Sequence, residues 1–152
     1  MPYPPGPTGP ELAGMNNVKR IFLLRHAKSG HGDRSQDDHD RPLAPRGRKA
    51  CPLIADHFRA RYAAPDLVLC STARRTRETL ALITERLGAA WPTAFEPGLY
   101  LAAPSSLLVR LRRLDDSVAS VLLIGHNPGI ELLAASLSRD RGAAPEDRKS
   151  VV

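Results

Sequence analysis

The stretch IFLLRHAKS, residues 21–29, is an apolar run that changes abruptly to polar and charged residues. The same pattern occurs in LVLCSTARR (67–75) and in VLLIGHNPG (121–129). Continuous apolar runs of this length are typical of buried strands in parallel sheets. Ligands of open α/β sheets bind beyond the carboxyl ends of the strands. If the three runs are neighbouring strands, the polar residues that follow them meet in one crevice: Arg25, His26, Arg75 and His126.

Strand-like and helix-like segments alternate along the rest of the chain. We expect strands at 18–24, 66–70, 93–95 and 118–124, and helices at 45–62, 73–87, 104–114 and 130–137. This alternation predicts a three-layer α/β/α sandwich on a mostly parallel sheet. The fourth strand is apolar enough to lie in the centre of that sheet.

The first two helices carry more specific expectations. In the first helix, Pro52 is expected to kink the helix or delay its start. Thr72 is the expected N-cap of the second helix, and Gly88 its stop. The inward-facing stripe of the first helix is expected to consist of Leu53, Ile54, His57 and Phe58.

The composition restricts the class of protein. With 152 residues and 42% hydrophobic residues, the chain suits one globular domain. No apolar run approaches the roughly 20 residues that a membrane span needs, and no signal peptide is recognisable at the start. Two cysteines, Cys51 and Cys70, fit a reducing compartment. We therefore expect a cytoplasmic protein with no membrane partner, and a buried apolar role for Cys70.

The ends of the chain differ in composition from its middle. Residues 1–17 contain five prolines and three glycines, so we expect a disordered tail there and a single domain over 18–152. The net charge of +6 suggests a nucleic-acid partner, but aromatic residues are only 5% and the basic residues are spread evenly. No nucleic-acid-binding signature is present, so we expect no such partner. A surplus of arginine equally suits a protein that binds phosphate.

A basic site at the ends of strands suits a phosphoryl group. Arginine offers a planar fork that binds two phosphate oxygens at once. The helix that begins after Thr72 adds free backbone N–H groups and the positive end of its dipole. A histidine can attack phosphorus if one ring nitrogen is unprotonated, and nearby arginines favour that neutral form.

Five blocks in this order resemble the histidine phosphatase superfamily, and within it the SixA-type phosphohistidine phosphatases: LLRHAKS, DHDRPLAPRG, STARRTRET, EPGLY and GHNPG. The resemblance covers about residues 18–137 and implies a phosphoglycerate mutase-like fold. It also implies that His26 is the phosphorylated nucleophile, that Arg25 and Arg75 bind the phosphoryl group, and that His126 is the second pocket histidine. Thr72 stands where the family has proline.

Three further residues have roles that the resemblance leaves open. Some members of the superfamily carry a carboxylate that protonates the leaving oxygen, and Glu96 is the candidate for that acid. The alternative for Glu96 is a structural salt bridge. Arg41 is expected either to line the mouth of the pocket or to pair with a nearby aspartate. Asn127 is expected beside the substrate, in the turn after the last strand.

The loop after the first strand is rich in metal-ligand residue types: His31, Asp33, Asp37, Asp38, His39 and Asp40. Their spacing is not the paired spacing of metal sites, so we expect a solvated loop that faces the substrate, and no metal or other cofactor. Arg74 is one position early for the pocket and is expected to point elsewhere.

The function expected from these features is dephosphorylation of a phosphohistidine on a protein, through a covalent phosphohistidine intermediate. The alternatives are a phosphatase of small phosphate esters and a non-catalytic module that binds a phosphorylated ligand. The resemblance also implies one more strand after the last helix. The segment SRDRGAAPEDRKS (138–150) does not read as a strand, so we expect that strand to be absent or cut off.

Overall fold

The computed structural model describes residues 19–30 and 35–140. Within them lies a sheet of four strands: β1 (Arg20–Arg25), β2 (Leu67–Ser71), β3 (Thr93–Glu96) and β4 (Ser120–Gly125). The order is β1-β4-β2-β3, and all neighbouring strands run parallel. The predicted mostly parallel sheet with a central fourth strand is therefore confirmed.

Helices cover both faces of the sheet: α1 (Pro45–Arg61), α2 (Arg74–Leu87), α3 (Pro104–Arg112) and α4 (Gly129–Asp140). Successive side chains of a strand point to opposite faces. Accordingly Phe22 and Leu24 pack in one apolar cluster with residues of α1 and α2. Leu23, between them, packs in the other cluster with residues of α3 and α4. The result is the expected α/β/α sandwich.

The inward face of α1 differs from the expected one. Its buried residues are Gly47, Cys51, Ala55 and Phe58, whereas Leu53 is 71% exposed and His57 is exposed. The prediction was wrong for Leu53 and His57. The buried face of α1 contains mainly small residues, which allow the helix to lie close to its neighbours. A Cβ atom on Gly47 would lie 2.1 Å from the carbonyl oxygen of Lys28. The helix also begins at Pro45 and continues through Pro52, so its start is not delayed.

The start of α2 is also different from the prediction. Its N-cap is Ala73, which makes no side-chain capping hydrogen bond, so the assignment of Thr72 was wrong. The Thr72 hydroxyl instead lies 2.8 Å from Nε2 of His39. Gly88 ends the helix with a φ of 59°, as expected for a residue without a Cβ atom.

Some expectations fall outside the described residues, namely the tail at 1–17, residues His31 and Asp33, and the chain after Asp140. Within residues 19–30 and 35–140, no helix combines the length and apolar character needed to cross a bilayer.

Candidate active site

Three parallel strands end at the same edge of the sheet, and the polar side chains gather there. His26 follows β1, His126 follows β4, and Arg75 lies in the first turn of α2, beyond β2. A cleft of about 280 Å³ opens at this edge, lined by Arg25, His26, Ser29, Asp38, Arg41, Arg75, Leu101, His126 and Asn127. The structure thus brings the four predicted pocket residues together, with Arg41 and Asn127 beside them.

His26 is held in one tautomer. Its Nδ1 lies 2.6 Å from the carbonyl oxygen of Ala27, and because a carbonyl only accepts, Nδ1 carries the ring proton. Nε2 is left with a lone pair, to which Nε of Arg75 donates at 3.3 Å. Burial lowers the pKa of His26; the Ala27 hydrogen bond opposes this effect, and the charges of Arg75 and Arg25 add to it. The ring is therefore neutral near pH 7.

Arg75 is the centre of the network, although it is only 2% exposed. Besides its contact with His26, its Nη1 donates to the backbone oxygen of Asp38 at 2.7 Å and its Nη2 to Oδ2 of Asp38 at 3.0 Å. The neighbouring Arg74 is exposed and pairs with Glu78, with Nε 3.6 Å from Oε2. Only Arg75 of this arginine pair lines the cleft, because adjacent helix residues point in different directions.

His126 presents a different arrangement of ring nitrogens. Its Nε2 lies 2.8 Å from Oγ of Ser71, which also accepts the N–H of Ala73 at 3.3 Å. Among the described residues the hydroxyl proton of Ser71 has no other acceptor, so it points to Nε2 and leaves the ring proton on Nδ1. That Nδ1 is buried and has no partner within the described part of the chain. Burial lowers the pKa of His126 to about 3, so the ring is a neutral donor available to a ligand.

Two residues of the site were not singled out from the sequence as parts of the pocket. The Asp38 carboxylate receives hydrogen bonds from the Tyr100 hydroxyl and from Arg75, and its Oδ1 lies 2.9 Å from Nη2 of Arg41. The Tyr100 hydrogen bond, followed by Arg75, holds the pKa of Asp38 down at about 2. The only signal for them was their place in the DHDRPLAPRG and EPGLY blocks.

The remaining candidates separate clearly. Arg41 does both things expected of it, since it lines the cleft and pairs with Asp38. Asn127 lines the cleft while its Oδ1 accepts the backbone N–H of Glu131 at 3.2 Å. Glu96 is not brought to the cleft: it accepts hydrogen bonds from Nε and Nη2 of Arg110 at 2.7 and 2.9 Å. This geometry favours the structural salt bridge over the role of an acid.

Cysteine chemistry and a clustered metal site find no support in the geometry. Cys70 is fully buried, as expected, and burial raises the pKa of its thiol to about 12. The described residues contain no group of three or more histidine, cysteine or acidic side chains that could hold a metal ion.

Comparison with known proteins identifies the family of this chain. A family model described as the histidine phosphatase superfamily (branch 1) matches residues 21–100. An uncharacterized protein of Mycobacterium tuberculosis is 42% identical over 119 residues, which cover 78% of this chain and 72% of that protein.

Solved structures of SixA proteins are also similar to this chain. A structure assigned to the phosphohistidine phosphatase SixA of Nakamurella multipartitia has a TM-score of 0.71 at 30% identity, covering 88% of this chain and 79% of that one. The protein histidine phosphatase SixA in complex with tungstate has a TM-score of 0.69 at 27% identity, covering 77% of this chain and 75% of that one. The chain belongs to the histidine phosphatase superfamily and is SixA-like within it.

Proposed function

We propose that this chain is a phosphohistidine phosphatase that acts on a histidine of a polypeptide through a covalent phosphohistidine at His26. We infer the substrate class from the ionisation state of the carboxyl group in the cleft. Asp38 is the only carboxyl among the described residues that line the cleft, and its pKa of about 2 keeps it ionised. It therefore has no proton to give to a leaving group near pH 7.

Step one is an in-line attack of His26 Nε2 on phosphorus. The new P–N bond forms as the P–N bond of the substrate breaks, and its electron pair stays on the leaving imidazole. When that imidazole is already protonated at its other nitrogen, it departs neutral and needs no acid from the enzyme. A leaving alkoxide, in contrast, needs a proton in the transition state. Because one histidine replaces another, the bonds broken and formed are of the same kind.

The phosphoryl oxygens have donors on several sides in this proposal. The guanidinium of Arg25 is exposed and has no hydrogen-bond or ion-pair partner among residues 19–30 and 35–140, so it is free to bind. Arg75 and the Nδ1–H of His126 supply further donors in a largely buried setting. Such fixed donors stabilise the charge of the transferring group. The guanidinium charges do what Mg²⁺ does in other phosphoryl-transfer sites, so the step needs no metal ion.

Step two is hydrolysis of the intermediate. Phosphorylated His26 keeps its Nδ1–H on the carbonyl of Ala27, which stabilises the positive charge that the ring gains. Water attacks phosphorus, the P–N bond breaks with its electron pair returning to Nε2, and one proton of the water passes to a phosphoryl oxygen. Neutral His26 and inorganic phosphate are the products.

The size of the cleft supports a polypeptide substrate. A volume of about 280 Å³ is at the small end of ligand pockets, which hold roughly 300–1,000 Å³. A phosphoryl group and an imidazole ring fit such a cleft, and the rest of a substrate must lie outside it. We further propose that the protein works in the cytoplasm, where its buried cysteines, Cys51 and Cys70, stay unpaired.

The test is a comparison of kcat/KM on a phosphohistidine peptide and on glycerol phosphate, a small ester whose leaving alkoxide needs a proton. It is made with the wild type and with His57→Ala as a control for loss of an exposed histidine. We expect the peptide to be preferred by a large factor and the control to match the wild type. A preference for the ester would favour the small-ester phosphatase instead. Tight phosphate binding without turnover of either compound would favour the non-catalytic binding module.

A further inference from the structure

Leu101 is the one apolar side chain among the described residues that line the cleft. It is 56% exposed, although a large apolar side chain gains free energy from burial. Its backbone φ is 50°, and among the described residues it is the only residue other than glycine with a positive φ. The left-handed region brings the Cβ atom too close to the following carbonyl oxygen, so it is unfavourable for residues other than glycine. Leu101 is thus both exposed and strained.

The turn that carries Leu101 is fixed from both sides. On one side, Leu99 is 3% exposed in the apolar core, and the Tyr100 hydroxyl bonds to Asp38. On the other side, the carbonyl oxygen of Ala102 lies so close to the start of α4 that a Cβ atom on Gly129 would be 2.2 Å from it. The surroundings therefore hold the strained backbone and keep the Leu101 side chain at the mouth of the cleft. Strain maintained in this way is typical of functional sites.

The other residues at the mouth are polar or charged, so Leu101 offers the cleft its only apolar contact within the described residues. A substrate whose phosphoryl group lies against His26 must extend past this mouth. We propose that Leu101 contacts an apolar side chain next to the phosphorylated histidine and so selects the polypeptide sequence of the substrate. This inference rests on the proposed function and adds a residue that determines specificity.

The test uses three probes of graded size. They are a phosphohistidine peptide with leucine on both sides of the histidine, the same peptide with glycine on both sides, and N-phosphoimidazole. The wild type should prefer the leucine peptide to the glycine peptide by about tenfold, the typical effect of a small apolar contact on kcat/KM. N-phosphoimidazole reports on the chemistry alone, because it has no flanking residues.

The variant Leu101→Asn separates the contact from the fold. Asparagine has a similar size and is tolerated in the left-handed region, so the thermal midpoint should stay equal or rise. We expect the preference for the leucine peptide to disappear, with a fall in kcat/KM of about tenfold on that peptide and a smaller fall on N-phosphoimidazole. Leu101→Met, which keeps an apolar side chain, should retain most of the preference. Leu53→Asn, on the exposed face of α1, is the matched control. It should change neither the preference for the leucine peptide nor the turnover of N-phosphoimidazole.

Each contrary outcome has a distinct meaning. If Leu101→Asn reduced kcat/KM equally on all three probes, Leu101 would act on the chemistry through Tyr100. That result would overturn the inference. A wild type without preference between the peptides would also overturn it, while leaving the proposed function intact. A wild type that hydrolyses phosphate esters but no phosphohistidine probe would overturn the proposed function and this inference together.

Discussion

The cleft is built from two regions that differ in how they are held. One is the set of strand ends, which supplies His26 and His126 from the neighbouring parallel strands β1 and β4. The other is a pair of loops, which supplies Asp38 and Tyr100 from residues joined to each other by a hydrogen bond rather than by the sheet. In the proposed mechanism, the strand ends position the groups that react with phosphorus, and the loops position the groups that surround them. Reactivity and recognition can therefore be altered separately.

The largest expected effect is at the strand ends. His26→Ala should reduce kcat/KM on the order of 10⁴-fold or more, because no other group in the cleft can form the covalent intermediate. The measurement is single-turnover kinetics with a ³²P-labelled phosphohistidine peptide, followed by trapping of the phosphoenzyme. Label that is acid-labile and alkali-stable should appear on the wild type and be absent from the variant. Label on an aspartate, or near-normal turnover of the variant, would contradict the division between the two regions.

Ser71→Ala tests whether a strand end also sets the tautomer of His126. Without the hydroxyl, Nε2 loses its donor and the ring proton no longer has a reason to stay on Nδ1. We expect activity to fall about 10–100-fold, less than the 10²–10³-fold loss on removal of one transition-state donor. The ¹⁵N shifts of the His126 ring, measured by NMR, should show Nδ1–H in the wild type and a changed tautomer in the variant. Unchanged shifts would mean that Ser71 has only a packing role.

Asp38→Asn tests the loop region. The carboxylate accepts the hydrogen bond of Nη2 of Arg75, which could otherwise be donated to a phosphoryl oxygen. We expect the neutral variant to bind inorganic phosphate several-fold more tightly, as measured by competitive inhibition, with a smaller effect on kcat than at the strand ends. Weaker phosphate binding would show that Asp38 positions Arg75 more than it competes with the ligand.

The same variant has a predicted effect on acid stability. The pKa of Asp38 is about 2 in the folded protein and 3.8 for an unperturbed aspartate, which stands for the unfolded chain. The ionised carboxylate therefore stabilises the folded state fully above pH 3.8. This contribution is lost as the pH falls through about 2. Urea unfolding between pH 5 and 2 should therefore show a slightly smaller acid-induced loss of stability for Asp38→Asn. An identical pH dependence would mean that the carboxylate is not held by Tyr100 and Arg75 in solution.

The smallest effect is expected at Glu96, outside both regions. Glu96→Gln removes the charge that Arg110 binds but leaves the cleft intact. Turnover of phosphohistidine and of glycerol phosphate should both stay within about twofold of the wild type, as for other partly exposed ion pairs. A loss confined to the ester would restore Glu96 as the acid.

The two regions also differ in how far the sequence predicts them. An apolar run followed by charged residues locates a strand end, and parallel strands bring such ends together, so His26 and His126 could be placed from the pattern alone. Asp38 and Tyr100 are 62 residues apart. Asp38 begins one three-residue 3-10 helix and Tyr100 directly follows another, and elements this short leave no periodicity in the sequence. The inward face of α1 was mispredicted for a related reason. The hydrophobicity of Leu53 does not reveal that α1 approaches the Lys28 backbone closely at Gly47.

That close approach has an evolutionary consequence. The carbonyl of Lys28, which also accepts the N–H of Ala44, leaves no space for any side chain on Gly47. Lys28 is two residues from His26, so a methyl group at position 47 would push the segment that carries the proposed nucleophile. In a library of random substitutions, position 47 should therefore accept glycine alone, although it touches no substrate. A lineage of such enzymes would be free to change its partners at Leu101 and its neighbours while this buried contact stays constant.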